Sequence, residues 1–393
     1  MAFLNQKRWI RRIVAVGSAV AIVVLHSNLQ AKATPVFTGM GDLPGGEFNT
    51  SAEGVSADGS VVVGTASSAN GWEAYRWTRA TGIVGLGDLP TSAFDSGAHA
   101  ISADGSTIVG TSRTVFRAEA FRWTEATGMQ GIGVVSEDDV SSEATAVSAD
   151  GSVIAGHRHI ATSVHRYESF RWTEGGGMTD LGSISGTFPY DKVNAMSADG
   201  SQVVGFSFAT EGGANQAFRW NESEGIVGMG DIPSGGLNSH AKGMSADGTY
   251  VVGWGTNGPR EPFRWSAATG MVGLGVVSGT GDTAFDISDD GSIVVGGRSA
   301  SSLQQQSLAF IWDQRHGKRN LQQLLTNNYG LDLTGWSLVA ARAVSADGST
   351  IIGTGYNPSG QWEGWIVQGV PEPSTLCLLF PVIAVLSHRR RRS

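Results

Sequence analysis

The sequence predicts an all-β protein, a seven-bladed β-propeller of four-stranded blades, and three observations carry that prediction. The phrase Ser-Ala-Asp-Gly, or a near copy of it, occurs seven times; each occurrence is followed by the same series of short apolar runs and turns; and the series opens on the last strand of a unit and stops before one. With 393 residues, 40% hydrophobic and 16% charged, the chain can bury a large core, and its 56 glycines point to many tight turns.

Residues 1–33 read as a helical secretion signal. Lys7, Arg8, Arg11 and Arg12 precede an apolar run from Ile13 to Leu25. Ala31 and Ala33 then set small side chains at the cleavage-determining positions, so export machinery and signal peptidase are the expected partners and Thr34 the mature start. The thirteen apolar residues fall short of a comfortable membrane span, which leaves a retained anchor as the alternative.

Residues 34–369 are expected to form the propeller. The turn aspartates Asp58, Asp104, Asp150, Asp199, Asp247, Asp290 and Asp347 are 46, 46, 49, 48, 43 and 57 residues apart. Their Asp-Gly pairs predict two-residue type I′ hairpins between the first and second strands, with positive φ at both central residues. An apolar stretch ending in glycine follows, as in Val61-Val62-Val63-Gly64, and then an aromatic phrase such as Tyr75-Arg76-Trp77 or Phe121-Arg122-Trp123. Period-two alternation sends the aromatics to one sheet face, between neighbouring blades, and the arginine to the other as a staple. A fourth phrase, as in Gly85-Leu86-Gly87-Asp88-Leu89-Pro90, completes the unit. Residues 36–44 match that fourth phrase with no first three strands before it, and the seventh unit ends after its third strand near Val367. The N-terminal strand is therefore expected to complete the last blade and close the ring.

These phrases resemble the HAF family of extracellular repeats over about residues 36 to 367, most plainly in Ala120-Phe121-Arg122-Trp123. The stretch from Asn320 to Leu325, followed by Leu331 to Trp336, is similar to the closing segment of such proteins. The chain departs from the name-giving triplet, carrying Glu-Ala-Tyr or Pro-Phe in places and never His-Ala-Phe. The resemblance implies export and a propeller-like architecture, and no settled activity.

Residues 370–393 resemble the PEP-CTERM sorting signal of Gram-negative bacteria: Pro371, Glu372 and Pro373, an apolar run from Leu376 to Leu386, then Arg389, Arg390, Arg391 and Arg392. The physics agrees, since prolines stop a helix, a short apolar segment inserts in the membrane, and the arginines stay on the cytoplasmic side. The resemblance implies an exosortase-type enzyme as partner, with cleavage near the Pro-Glu-Pro motif and release or transfer to the cell surface. A simple tail anchor is the alternative.

The net charge of −8 hides an interior at about −17 once the nine basic residues of the two ends are set aside. Such a surface repels phosphate backbones, so nucleic acid is excluded as a partner; cations or neutral glycans suit it better, and an envelope or matrix polysaccharide is the expected partner. The single cysteine, Cys377, excludes a disulfide framework. Because first hairpins keep their length while links between second and third strands vary, any ligand site is expected on the variable-link face. The richest candidate is His157-Arg158-His159 with His165, Arg166 and Glu168, but its His-x-His lacks a third ligand of matching spacing, so solvated loop histidines, no metal and no cofactor are expected. Glu137, Asp138, Asp139, Glu143, Asp191, Glu211 and Asp282 read as scattered, solvated loop acids. The resulting expectation is a non-catalytic binding module. A secreted glycan-active propeller enzyme is the alternative, which carboxylates converging on a central pocket would favour.

Overall fold

The computed structural model describes residues 34–370 apart from 91, 116, 134–138, 162–165, 185–189, 209–213, 234, 257–259, 277–280 and 299–307. The signal and sorting calls at Ala31, Ala33, Pro371, Glu372, Pro373 and Arg389 to Arg392, and the helices expected there, lie outside the described residues. Among the described residues no helix is long and apolar enough to cross a membrane.

Each repeat folds as strands that pair antiparallel in chain order. In the third repeat these are Asp139–Val147, Val153–Ile160, Arg166–Thr173 and Gly177–Asp180. The fourth and fifth repeats form separate four-stranded sheets of the same kind, while single-residue bridges join the others into one larger sheet. The apolar second strands are buried on both faces, as Val61, Val62 and Val63 show. Tyr75, Phe121, Phe170, Phe218 and Phe263 are wholly buried, and each Phe packs on the second strand of the repeat before it: Phe170, for example, joins Ile154 to Val109 and Ala120. Burying such a ring contributes about 2 to 3 kcal/mol. The arginine between the aromatics does act as a link to the next repeat at Arg171, whose Nε donates to the Gly200 carbonyl, 3.5 Å away.

The first hairpin departs from the expected geometry. Only the glycine of each Ser-Ala-Asp-Gly turn has positive φ, 71° at Gly59, so the turn is not type I′. The Gly59 amide donates back to the Ser56 carbonyl at 2.9 Å, while Asp58 Oδ1 accepts from Ser56 Oγ and from the Ser60 amide. A locally anchored Asp carboxylate removes any need for the aspartate itself to enter the left-handed region. These turns also form a belt: the amides of Ala57, Ala103, Ala149 and Ala198 donate to the carbonyls of Ala103, Ala149, Ala198 and Ala246, and Ala346 donates back to Ala57.

The strand Val36–Gly39 pairs antiparallel with Trp362–Gln368, matching Val36 to Gln368 and Gly39 to Trp365. Its clasp is completed by Glu363, buried, whose Oε1 accepts the Gly41 amide at 2.9 Å and whose Oε2 accepts from Asn357 Nδ2. The long spacing between Asp290 and Asp347 contains a helix, Leu321–Tyr329. Asn320 caps its start through the Gln323 amide, Gly330 ends it at φ 70°, and Leu321, Leu324 and Leu325 anchor it beside Trp365.

Candidate active site at the axis

Every first strand carries a β-bulge at the same place, whatever other irregularity it has. The pairing skips Glu53, His99, Thr145, Asn194, Lys242, Phe285 and Arg342 in the seven repeats, each five residues before the turn aspartate. A bulge re-aims a side chain out of the pleat. All seven skipped residues line one cavity of about 240 Å³ where the first strands converge.

The strands around the cavity differ from repeat to repeat. Two positions further from the turn, repeats three to five place Glu143, Lys192 and His240, whereas the remaining repeats place Ser51, Gly97, Thr283 and Ala340. The residue after the constant second-strand glycine behaves alike: His157, Phe206 and Trp254 in that sector, Thr65, Thr111, Gly297 and Thr354 elsewhere. Three adjacent repeats thus place large, ionisable and aromatic side chains at these two positions, next to the cavity-lining column, and the other four place small ones.

The cations of this region rest on aromatic rings. Lys192 Nζ lies 4.3 Å from the Tyr167 centroid, Lys242 Nζ 5.9 Å from Phe206, and the guanidinium carbons of Arg260 and Arg342 3.9 and 4.6 Å from Trp254 and Phe285. Among the described residues none of the four has a carboxylate within ion-pair distance. Burial first, then the charges of Arg342, Arg260 and Lys192, bring the Lys242 amine down to about 8. His240, stacked between Phe206 and Trp254, is brought to about 3 by burial and by Lys242 and Arg260, and stays neutral.

Glu143 sits between His99 Nε2 at 3.5 Å and His157 Nε2 at 3.4 Å. Burial alone would raise its carboxyl, but the His157 hydrogen bond with the charges of His157, His99 and Lys192 outweighs burial and holds it at about 2. Burial lowers His157, and its Nδ1 has no hydrogen-bond partner among the described residues. Asp286, pushed up to about 7 by burial, also lines the cavity, and its two oxygens accept the Ile287 and Val344 amides at 2.9 Å. It stands where the other repeats have only glycine or alanine.

The turn residues Asp58, Asp104, Asp150, Asp199, Asp247, Asp290 and Asp347 take no part; each accepts a hydrogen bond from the serine two residues before it. The expected loop cluster is corrected: His157, Arg158 and His159 lie within a strand. Arg158 is buried against Asp139, Glu168 and Asp180 at 2.7 to 2.9 Å, while His157 belongs to the sector beside the cavity. Asp139, Asp191 and Asp282 are likewise buried rather than solvated, Asp282 on Lys318 at 2.7 Å. His165, Glu137, Asp138 and Glu211 lie outside the described residues. Among the described residues no three His, Cys, Asp or Glu side chains are placed to hold a metal ion.

No protein-family profile and no curated protein matches the sequence. Solved structures do share its shape. The β-propeller domain of the Trilobed protease from Pyrococcus furiosus is 10% identical with a TM-score of 0.53, covering 83% of this chain and 99% of that one. An oligogalacturonate lyase from Vibrio parahaemolyticus is 12% identical with a TM-score of 0.55, covering 81% and 89%. A puromycin hydrolase, also 12% identical, has a TM-score of 0.54 over 80% of this chain and 51% of that one. The fold is therefore all-β and propeller-like.

The expectation of a non-catalytic module is overturned. Proteins of this shape include a lyase matched over 89% of its length, so an uninterrupted repeat array is no argument against chemistry. The sequence argument failed on its own discriminator as well, because Glu53 and Asp286 reach the central cavity and Glu143 adjoins it. Glu53 and Asp286 were missed, and Glu143 was read as a loop acid, because their columns fall inside first strands, where only a comparison of the seven copies exposes them.

Proposed function

We propose that the protein is an exported seven-bladed propeller enzyme, ring-closed by its N-terminal strand, which cleaves an acidic glycan at the variable-link end of its axial cavity. The observation that carries this reading is the pair Lys242 and Arg342, cations at an axial cavity with no carboxylate partner among the described residues. A cation held without a counter-ion in a narrow cavity is a site for a ligand's anion. The Vibrio lyase, named for an oligogalacturonate, supports an acidic sugar chain as that ligand.

Arg342 suits the sugar carboxylate, where it would stabilise charge that develops on the carboxylate during reaction. Lys242, at about 8, is a neutral base for a useful fraction of molecules at mild alkaline pH. In an elimination it takes the proton from the carbon beside the carboxylate, the electron pair forms the new double bond, and the glycosidic C–O bond breaks. The leaving oxygen is protonated by water, and Glu143 with His99 and His157 fixes one edge of the cavity.

The ends of the chain supply the route in this reading: a signal ending at Ala33 for export, then a sorting tail around Pro371, Glu372 and Pro373 with its arginines, for surface delivery by an exosortase-type enzyme. Incubating the purified mature protein with polygalacturonate, other acidic glycans and a neutral glycan tests the activity. Unsaturated, ultraviolet-absorbing products from an acidic glycan alone, lost in Lys242→Met, are expected. Products carrying an added water, or turnover of the neutral glycan at equal rate, would contradict the reading.

A further inference from the structure

Beside the axial cavity, the sector of repeats three to five carries a continuous row of rings. His159 stacks on Tyr167 at 4.8 Å, Tyr167 meets Tyr190 edge-on at 4.8 Å, and Tyr190 stacks on Phe208 at 4.3 Å with 10° between planes. Tyr190 also neighbours Phe206, which continues through His240 to Trp254. One face of each tyrosine is thus fixed by a stacked partner, and both tyrosines remain partly exposed. Lys192 Nζ sits over the pair, 4.3 Å from Tyr167 and 5.8 Å from Tyr190.

Lys192 and Lys242 occupy first strands of successive repeats, close enough that the charge of Lys192 helps to lower Lys242. The sector therefore repeats one chemical unit at two adjacent places, an aromatic surface with a cation that has no carboxylate within ion-pair distance among the described residues. An acidic sugar polymer has the matching repeat, since each residue offers an apolar ring face and one carboxylate. We propose that Tyr167, Tyr190 and Lys192 form a second sugar subsite, which holds the acidic residue next to the one at the axis. The inference rests on the acidic-glycan reading of the cavity and adds that the enzyme recognises a chain rather than a single sugar.

Ring stacking of this kind, with a cation beside it, supports roughly a tenfold gain in affinity. Calorimetric titration of the full mature protein with galacturonate and its oligomers of two to four sugars tests this. For the native protein, affinity should rise about tenfold on going from one sugar to two or three, Tyr190→Ala should abolish that rise, and Tyr190→Phe should keep it. Lys192→Gln should reduce the gain for acidic oligomers and not for neutral ones of equal length. If the native protein binds galacturonate but Tyr190→Ala and Lys192→Gln retain the full length dependence, the second subsite is overturned while the axial reading stands. If neither galacturonate nor its oligomers bind the native protein, both fail.

Discussion

Replacing Arg342 by glutamine should raise the affinity of Lys242 for its proton. The Lys242 amine stands at about 8 against an ordinary 10.5, with burial as the larger cause and the Arg342 charge next. At pH 8 about half of the Lys242 side chains are therefore neutral, against roughly 0.3% for an ordinary lysine. Glutamine keeps much of the side-chain volume but deletes the neighbouring charge, so burial persists and repulsion falls. The expected midpoint moves up by about one unit, the scale of effect one close charge exerts. Competitive acylation across a pH series, read by mass spectrometry of the peptides carrying Lys192, Lys242 and Lys318, gives the titration directly and needs no substrate. A native Lys242 that titrates with the ordinary lysine range, or an Arg342→Gln variant whose midpoint stays or falls, would refute the electrostatic account of the cavity.

Other outcomes follow from the frame. Glu363→Ala strands the Gly41 amide and removes one of the two acceptors of Asn357 Nδ2; it should cost about 2 kcal/mol in denaturant titration and speed amide exchange in Val36–Gly39 before other strands. Gly151→Ala places a side chain on a residue at φ 72° and within 2.8 Å of Thr107 Cβ in the preceding repeat; a loss of about 2 kcal/mol is expected, whereas Gly128→Ala, at φ 67° with open space around it, should lose less. In acid, the turn carboxyls Asp58, Asp104, Asp150 and Asp199 are held below their ordinary range by the hydroxyl of the serine two residues before and then by the amide two residues after, Asp150 at about 2. The folded protein binds fewer protons there than the unfolded chain, so their contribution is complete above the unfolded value near 4 and drains as pH falls toward 2. Asp150→Asn should make the thermal midpoint less dependent on pH across that window.

The architecture was legible because the repeat phrases are short-range: a serine, an aspartate and a glycine fix each first hairpin, and the orphan phrase at residues 36–44 announces its pairing with the last strand. What failed was turn chemistry, since propensity alone suggests type I′ for Asp-Gly while the Asp58 carboxylate bonds to Ser56 and Ser60. The helix Leu321–Tyr329 was signalled only by Asn320 and Gly330 flanking an apolar pattern that also reads as strand. The site was written in the sequence but in a column rather than a row. Between small neighbours, Glu53, His99, Thr145, Asn194, Lys242, Phe285 and Arg342 vary without restraint, and a bulge that turns each toward a common axis cannot be read from any single copy.

The most direct test is a crystal structure of the mature protein soaked with a short oligogalacturonate. The account predicts a sugar carboxylate within hydrogen-bond distance of Arg342 and the carbon beside that carboxylate facing Lys242 Nζ, at the end of the cavity facing Tyr167 and Tyr190. A glycan bound instead in the grooves beside the Ser-Ala-Asp-Gly turns, with the axial cations untouched, would contradict it.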